Sequence, residues 1–146
     1  MRTLAIDLGA RRVGFALSDA GGRLATPYDV IEVTSPEDAL RETSKIVEHE
    51  AVERLVIGLP LNMDDSVGPA AKSTIAWGKT LEARTKLRVH FVDERLSSFD
   101  AEQQLIARKR SGEKITRRQK KNQLDALAAA GFLQAFLDGK LTSIAP

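Results

Sequence analysis

Three apolar runs of strand length open the chain: Leu4, Ile6 and Leu8 in the first, Val13, Phe15 and Leu17 in the second, and Tyr28, Val30, Ile31 and Val33 between Leu24 and Val33 in the third. Gly9-Ala10-Arg11-Arg12 and Gly21-Gly22 supply the turns between them, so the pattern predicts an antiparallel meander. At Ser35-Pro36-Glu37-Asp38 the signals change to those of a helix start: a capping serine, a proline at the first helical position and acids in the first turn. That helix is expected to run to about Glu50, burying Ala39, Leu40, Thr43, Ile46, Val47 and Ala51. Arg54 to Leu59 is almost wholly apolar, the mark of a strand covered on both faces. After it come a loop rich in turn formers from Pro60 to Pro69, a helix from about Ala70 to Arg84, and a fifth strand from Arg88 to Val92. Ser97 or Ser98 is expected to cap a further helix with Ala101, Leu105 and Ile106 in its core. Thr116-Arg117-Arg118-Gln119 has a capping-box pattern and predicts a last helix reaching about Leu137, where Asp138-Gly139 ends it. The residues beyond are expected to form a loose tail. Three hairpin strands followed by strand–helix alternation predict an α/β fold, a mixed sheet with helices on both faces.

Composition narrows the function classes. The chain has 146 residues, of which 42% are hydrophobic and 29% charged, and this suits one globular domain over residues 1–146. With no cysteine, disulfides, zinc fingers and thiol nucleophiles are excluded. No apolar run approaches membrane-spanning length, and residues 1–20 lack the ordered regions of a signal peptide, so a cytoplasmic protein without a membrane partner is expected. The formal net charge of +2 conceals a strong polarity. Arg108, Lys109, Arg110, Lys114, Arg117, Arg118, Lys120 and Lys121 stand against the single acid Glu113 in that segment, which predicts a grip on a polyanion there, or else a solvated charge run.

The candidate chemistry lies in acids that interrupt apolar surroundings. Asp7 falls among Leu4, Ile6 and Leu8, and a carboxylate inside a strand needs a counter-ion, a proton or a cation. Gly9 and Gly14 nearby leave room for a ligand to approach the backbone. Glu94 follows the fifth strand. Asp125 sits in the last helix beside Ala126, Ala128, Ala129 and Ala130, small residues that let a helix press close to a sheet. Three such acids, if they converge, make an oxygen-ligand site suited to Mg²⁺ or Mn²⁺. The plainer alternatives are that Asp7 pairs with Arg11 or Arg12, that Glu94 flanks a helix at the surface, and that Asp125 faces solvent. Trp77 has the spacing of a core residue, His49 and His90 stand alone, and Ser18 has no base nearby in sequence.

Four stretches resemble one family when taken together: Ala5-Ile6-Asp7-Leu8-Gly9 with Arg12-Val13-Gly14 and Ser18-Asp19; Val56-Ile57-Gly58-Leu59-Pro60 with Asn62; Val92-Asp93-Glu94-Arg95-Leu96-Ser97-Ser98; and Leu124-Asp125-Ala126-Leu127-Ala128-Ala129. Nearly end to end, the chain is similar to the YqgF-type family, described as Holliday junction resolvases and as pre-16S rRNA nucleases. The resemblance implies an RNase H-like fold with a five-stranded mixed sheet and an acidic triad of Asp7, Glu94 and Asp125, holding two Mg²⁺ or Mn²⁺ ions. It further implies a hydrolase that cuts phosphodiester bonds in processing the 5′ end of pre-16S ribosomal RNA. A Holliday junction resolvase, with the homodimer that symmetric cutting needs, is the alternative within the family. Arg12, Asn62, Arg95, Arg117, Arg118, Lys120 and Lys121 are the residues expected to hold the substrate. Two departures from the family's pattern stand out: Asp64-Asp65-Ser66 where Asp-Gly-Ser is usual, and Leu124 where a second acid often precedes the last-helix Asp. Asp7-Leu8-Gly9 on a hairpin also resembles the first phosphate loop of sugar kinases and chaperone ATPases, but those need a second domain to close over the nucleotide. A non-catalytic nucleic-acid or phosphate-binding module is the competing reading of another class.

Overall fold

The computed structural model describes residues 1–95 and 117–144, and side chains throughout these except over 117–125. Five strands, β1 (Thr3–Leu8), β2 (Arg12–Ser18), β3 (Ala25–Glu32), β4 (Arg54–Leu59) and β5 (Val89–Asp93), form one sheet in the order β3-β2-β1-β4-β5. β1, β2 and β3 are the expected antiparallel meander, while β4 joins β1, and β5 joins β4, in parallel. Helices α1 (Pro36–His49) and α2 (Pro69–Thr85) precede β4 and β5, and α3 (Arg117–Leu137) follows them. The expected Ser97 or Ser98 cap, the helix carrying Ala101, Leu105 and Ile106, the basic residues from Arg108 to Lys114, and Thr116 lie outside the described residues.

Two cores separate the layers. Leu4, Ile6, Val13, Phe15, Leu55, Ile57 and Leu59 project from one face of the sheet onto Leu40 and Ile46 of α1 and Trp77 and Leu81 of α2. The opposite face presents Ala5, Ala16, Val56 and Val92 to Ala129, Ala130, Phe132 and Leu133 of α3. Small residues on both sides of that second contact let α3 lie close to the sheet, as its alanine content predicts. β4 contributes to both cores, which is why its sequence has no polar alternation. Trp77 is a core residue, and its indole Nε1 donates to the Pro36 carbonyl at 3.0 Å, tying α2 to the start of α1. Ser18 is structural: its buried hydroxyl accepts the Thr3 amide at 2.8 Å.

Capping follows the sequence signals. The Ser35 hydroxyl accepts the Asp38 amide at 3.0 Å, a bond typically contributing about 1 kcal/mol to helix stability. Beyond α3, Lys140 donates its amide to Ala135 and Gly139 to Phe136, the paired bonds of a Schellman ending, with Gly139 at φ +76°.

Two expectations are corrected. Ala51 is exposed, with φ +51°, because the chain turns there and redirects towards β4, so the buried face of α1 ends at Ile46 and Val47. The residues after α3 are not loose as far as Ile144, which forms an antiparallel bridge to Phe91, donating its amide to the Phe91 carbonyl at 2.7 Å, and packs against the first core. Ser143 Oγ lies 2.6 Å from His90 Nδ1 beside it. This pairing covers part of the free edge of β5, where unpaired backbone groups would otherwise face outwards. Among the described residues no helix is long and apolar enough to cross a membrane.

Candidate active site

Asp7 is the penultimate residue of β1 and is half-buried, so its desolvation is milder than a position in mid-strand would impose. It occupies the α3 face, two residues on from Ala5. Across β2 its partner is Gly14. Across β4 the register pairs Ile6 with Ile57, and one further step sets Asp7 beside Gly58, at a strand spacing of about 4.8 Å. The acid therefore stands in a row with no side chain on either neighbour.

Glu94 fills the space that Gly58 leaves. A Cβ built on Gly58 would lie 2.7 Å from Glu94 Oε2, 2.9 Å from Glu94 Cβ and 2.9 Å from Phe132 Cε2. The Glu94 side chain thus reaches from the end of β5 over the backbone of β4 towards β1, and only a glycine at position 58 permits it. Gly58 is the residue of the candidate site that the strand pattern alone did not single out. The available signal was a glycine inside an otherwise apolar strand, which marks close approach of another group.

The course of α3 brings the third acid's backbone to the same end of the sheet. Phe136 packs on Arg54 and His90, at the starts of β4 and β5, whereas Phe132 packs on Gly58 near the end of β4. The helix therefore runs antiparallel to these strands, and position 125, about 10 Å up the axis from Phe132, lies towards the ends of β1, β4 and β5. Its side chain, like those of Arg117, Arg118, Lys120 and Lys121, is outside the described set. Among the described residues no three His, Asp or Glu side chains gather to hold a metal. Asp7 and Glu94 nevertheless fit a hard divalent cation: both offer carboxylate oxygens, and the glycine cradle keeps apolar side chains from between them.

Beside Asp7 opens a cleft of about 1190 Å³ lined by Gly9, Ala10, Arg11, Arg12, Glu32, Val33 and Thr34. Arg12 pairs in register with Glu32 across β2 and β3, and neither they nor Asp7 and Glu94 lack a partner. The volume exceeds that of typical small-molecule pockets, and Arg11 and Arg12 line it together with the acids Asp7 and Glu32.

The loop between β4 and α2 is closed on itself and then fastened to the acid-bearing end of β5. Asn62 accepts the Asp65 amide at its carbonyl and donates its own amide to Ser66, and its side chain donates to Ser66 Oγ at 3.0 Å. Arg95 is the fastener. Its Nε donates to both oxygens of Asp93 at 3.0 and 3.2 Å, Nη1 to the Asn62 carbonyl at 2.6 Å, and Nη2 to Asp93 Oδ2 at 2.7 Å and Asp65 Oδ1 at 2.5 Å. The bonds donated by Arg95 hold the Asp93 carboxyl below the usual carboxylate range, and the same bonds to Asp93 and then to Asp65 push the guanidinium pKa up. Asn62 and Arg95, expected to hold substrate, are in this structure engaged chiefly within the protein. Asp65 has φ +68°, a left-handed conformation costing about 1 kcal/mol for a residue with a Cβ, less for Asp than for most. The departure from Asp-Gly-Ser thus falls on a residue whose backbone suits glycine and whose side chain has a specific partner.

Comparison with known proteins agrees with this architecture. A protein of Levilactobacillus brevis named "putative pre-16S rRNA nuclease" is 38% identical over 146 residues, covering 97% of this chain and 98% of its own. One of Anaeromyxobacter sp. (strain K) with the same name is 40% identical over 138 residues, covering 94% of this chain and 97% of its own. Among solved structures, RuvC of Thermus thermophilus superposes with a TM-score of 0.59 at 11% identity over 99% of this chain and 100% of its own, which establishes the RNase H-like fold. The model of the family described as "RuvX: Holliday junction resolvase" matches residues 1–139, and with the two relatives it shows that the chain belongs to the RuvX (YqgF) family.

Proposed function

We propose that this protein is a divalent-metal-dependent nuclease that hydrolyses phosphodiester bonds in precursor 16S ribosomal RNA. The observation that carries the reading is that Glu94 lies over the Gly58 backbone on the same face and at the same end of the sheet as Asp7, beside a cleft that Arg11 and Arg12 help to line. Asp7, Glu94 and Asp125 are the residues that would hold the ions. Bound Mg²⁺ or Mn²⁺ supplies Lewis-acid charge for activating water and for stabilising the leaving oxygen. Hydrolysis in this sense leaves a 5′-phosphate and a 3′-hydroxyl. Arg12 orients the backbone along the cleft, and Arg95, held by Asp93 and the Asn62 carbonyl, keeps the end of β5 and the neighbouring loop in fixed relation. RNA as the substrate follows from the names of the relatives, and a four-way DNA junction is the second reading, favoured by the description of the family.

Side-by-side cleavage of a precursor 16S fragment, a four-way junction and single-stranded DNA, each with Mn²⁺, tests the proposal. Preferential cutting of the RNA is expected. Symmetric nicking of the junction by a dimer would reverse the order of the two readings, and no cleavage of any of them would leave a binding module.

The basic segment is assigned to affinity. Arg117, Arg118, Lys120 and Lys121 begin α3, the end at which the helix dipole disfavours cations, so anionic backbone would relieve as well as engage them. No aromatic residue stands among the eight cations from Arg108 to Lys121 to read bases. Neutralising those four in α3 is expected to weaken binding about equally for different sequences. For a single strand, the slope of log K on log salt should fall by about 0.7 for each phosphate whose charge is no longer neutralised. Cleavage at saturating substrate should change little. Normal binding with an unchanged slope would make the cluster a solvated surface.

A further inference from the structure

We propose that Asp65 occupies, in the free protein, the outer face of Arg95 that a substrate phosphate takes on binding, so that Asp65 sets the affinity for nucleic acid by intramolecular competition. The inference rests on the nuclease reading for its substrate class, a phosphodiester backbone, and on the geometry of Arg95 for its mechanism.

The ligands of Arg95 are of two kinds. Asp93 is two residues away on the same strand end, its side chain is 27% exposed, and it receives both Nε and Nη2, while the Asn62 carbonyl receives Nη1. These bonds fix the guanidinium from the protein side and remain when the outer ligand leaves. Asp65 is the outer ligand. It touches Nη2 through one oxygen, its side chain is 79% exposed, and its backbone is in the left-handed region. A carboxylate on such a conformation is the bond most readily exchanged for another anion of similar geometry, and phosphate oxygens match the guanidinium fork as carboxylates do. Since Arg95 directly follows Glu94, a phosphate accepted there is tied to the same end of β5 that carries Glu94. Asp64, the neighbouring acid, does not serve this purpose, for its side chain caps the amide and hydroxyl of Ser66.

Binding of a short single-stranded RNA, measured without divalent metal so that no cleavage intervenes, tests the exchange. Asp65→Asn removes the charge and keeps a residue type that tolerates the left-handed backbone, and Asp65→Gly removes charge and strain together. Both are expected to bind about two- to fivefold tighter than wild type, the range set by an exposed ion pair, with the gain shrinking as salt is raised. Asp64→Asn, which removes the same charge one residue away, is expected to give a smaller gain. In an Arg95→Gln background the Asp65 substitutions are expected to change nothing, and thermal melts of each variant establish that it is folded. Weaker or unchanged binding by both Asp65 variants, an equal gain from Asp64→Asn, an undiminished gain without Arg95, or no RNA binding by any form would overturn the proposal. RNA that is bound more tightly by the Asp65 variants yet is uncut in Mn²⁺ by wild type and variants alike supports the exchange while removing the RNA-nuclease reading, so the two fail separately.

Discussion

An Asp7→Asn variant is expected to lose cleavage by about 1,000-fold or more while keeping its fold and its affinity for nucleic acid. The side chain stays the same size, and the strand pairing of Asp7 with Gly14 uses only backbone groups. What is removed is one negative oxygen ligand from a site proposed to have three, and a loss of about 4 kcal/mol of transition-state stabilisation corresponds to that factor. Melting curves supply a readout independent of catalysis. A ligand present at about 100 times its dissociation constant stabilises the native state by about 2.7 kcal/mol, which for a chain of this size raises the melting temperature by about 5–10 °C. Wild type should show such a rise with Mn²⁺, and the Asn variant should show much less. A wild type indifferent to Mn²⁺, together with an Asn variant that still cuts, would remove the metal site.

The parts of this protein written in neighbouring residues were legible in its sequence. The turn glycines, the Ser35-Pro36 helix start, the apolar run of β4 and the Asp138-Gly139 ending are local signals, and each element among the described residues lies within a residue or two of its expected bounds. The pairing of Ile144 with Phe91 was not legible, because it depends on where the chain after α3 returns across the sheet and no local pattern encodes that return. For the same reason the acids could be named but not related. That Asp7 and Glu94 share a face follows from the parallel registers of β1, β4 and β5, which unite segments tens of residues apart. Arg95 shows the limit most clearly: the type of residue suggested a phosphate contact, whereas its engagement by Asp93, Asn62 and Asp65 emerges only when the loop after β4 is placed against the end of β5. The left-handed backbone at Asp65 was foreshadowed only by the departure from a glycine at that place.

Gly58→Ala separates the seat of Glu94 from its charge. The added methyl would stand 2.7 Å from Glu94 Oε2 and 2.9 Å from both Glu94 Cβ and Phe132 Cε2, closer than real Cβ contacts come, so a neighbour must move. Phe132 is fully buried within the second core, and shifting its ring disturbs Ala129 and Leu133 as well. Glu94 lies past the end of β5 at the rim of the sheet, so it is the group that yields. Overpacking of this kind typically costs about 1–3 kcal/mol, and displacement of a positioned group by about 1 Å can cost about 100-fold in rate. The expected variant is folded, somewhat less stable in urea, and about 100-fold slower at saturating RNA, with binding of RNA in the absence of metal nearly unchanged. Adding Phe132→Leu gives the methyl group room on the helix side. The double variant should then recover part of the lost rate even though Phe132→Leu alone destabilises the protein, a coupling that neither substitution explains singly. If Gly58→Ala were as fast as wild type and as stable, the Glu94 carboxylate would have its working position somewhere other than over β4, and the pairing of Asp7 with Glu94 would lose its geometric basis.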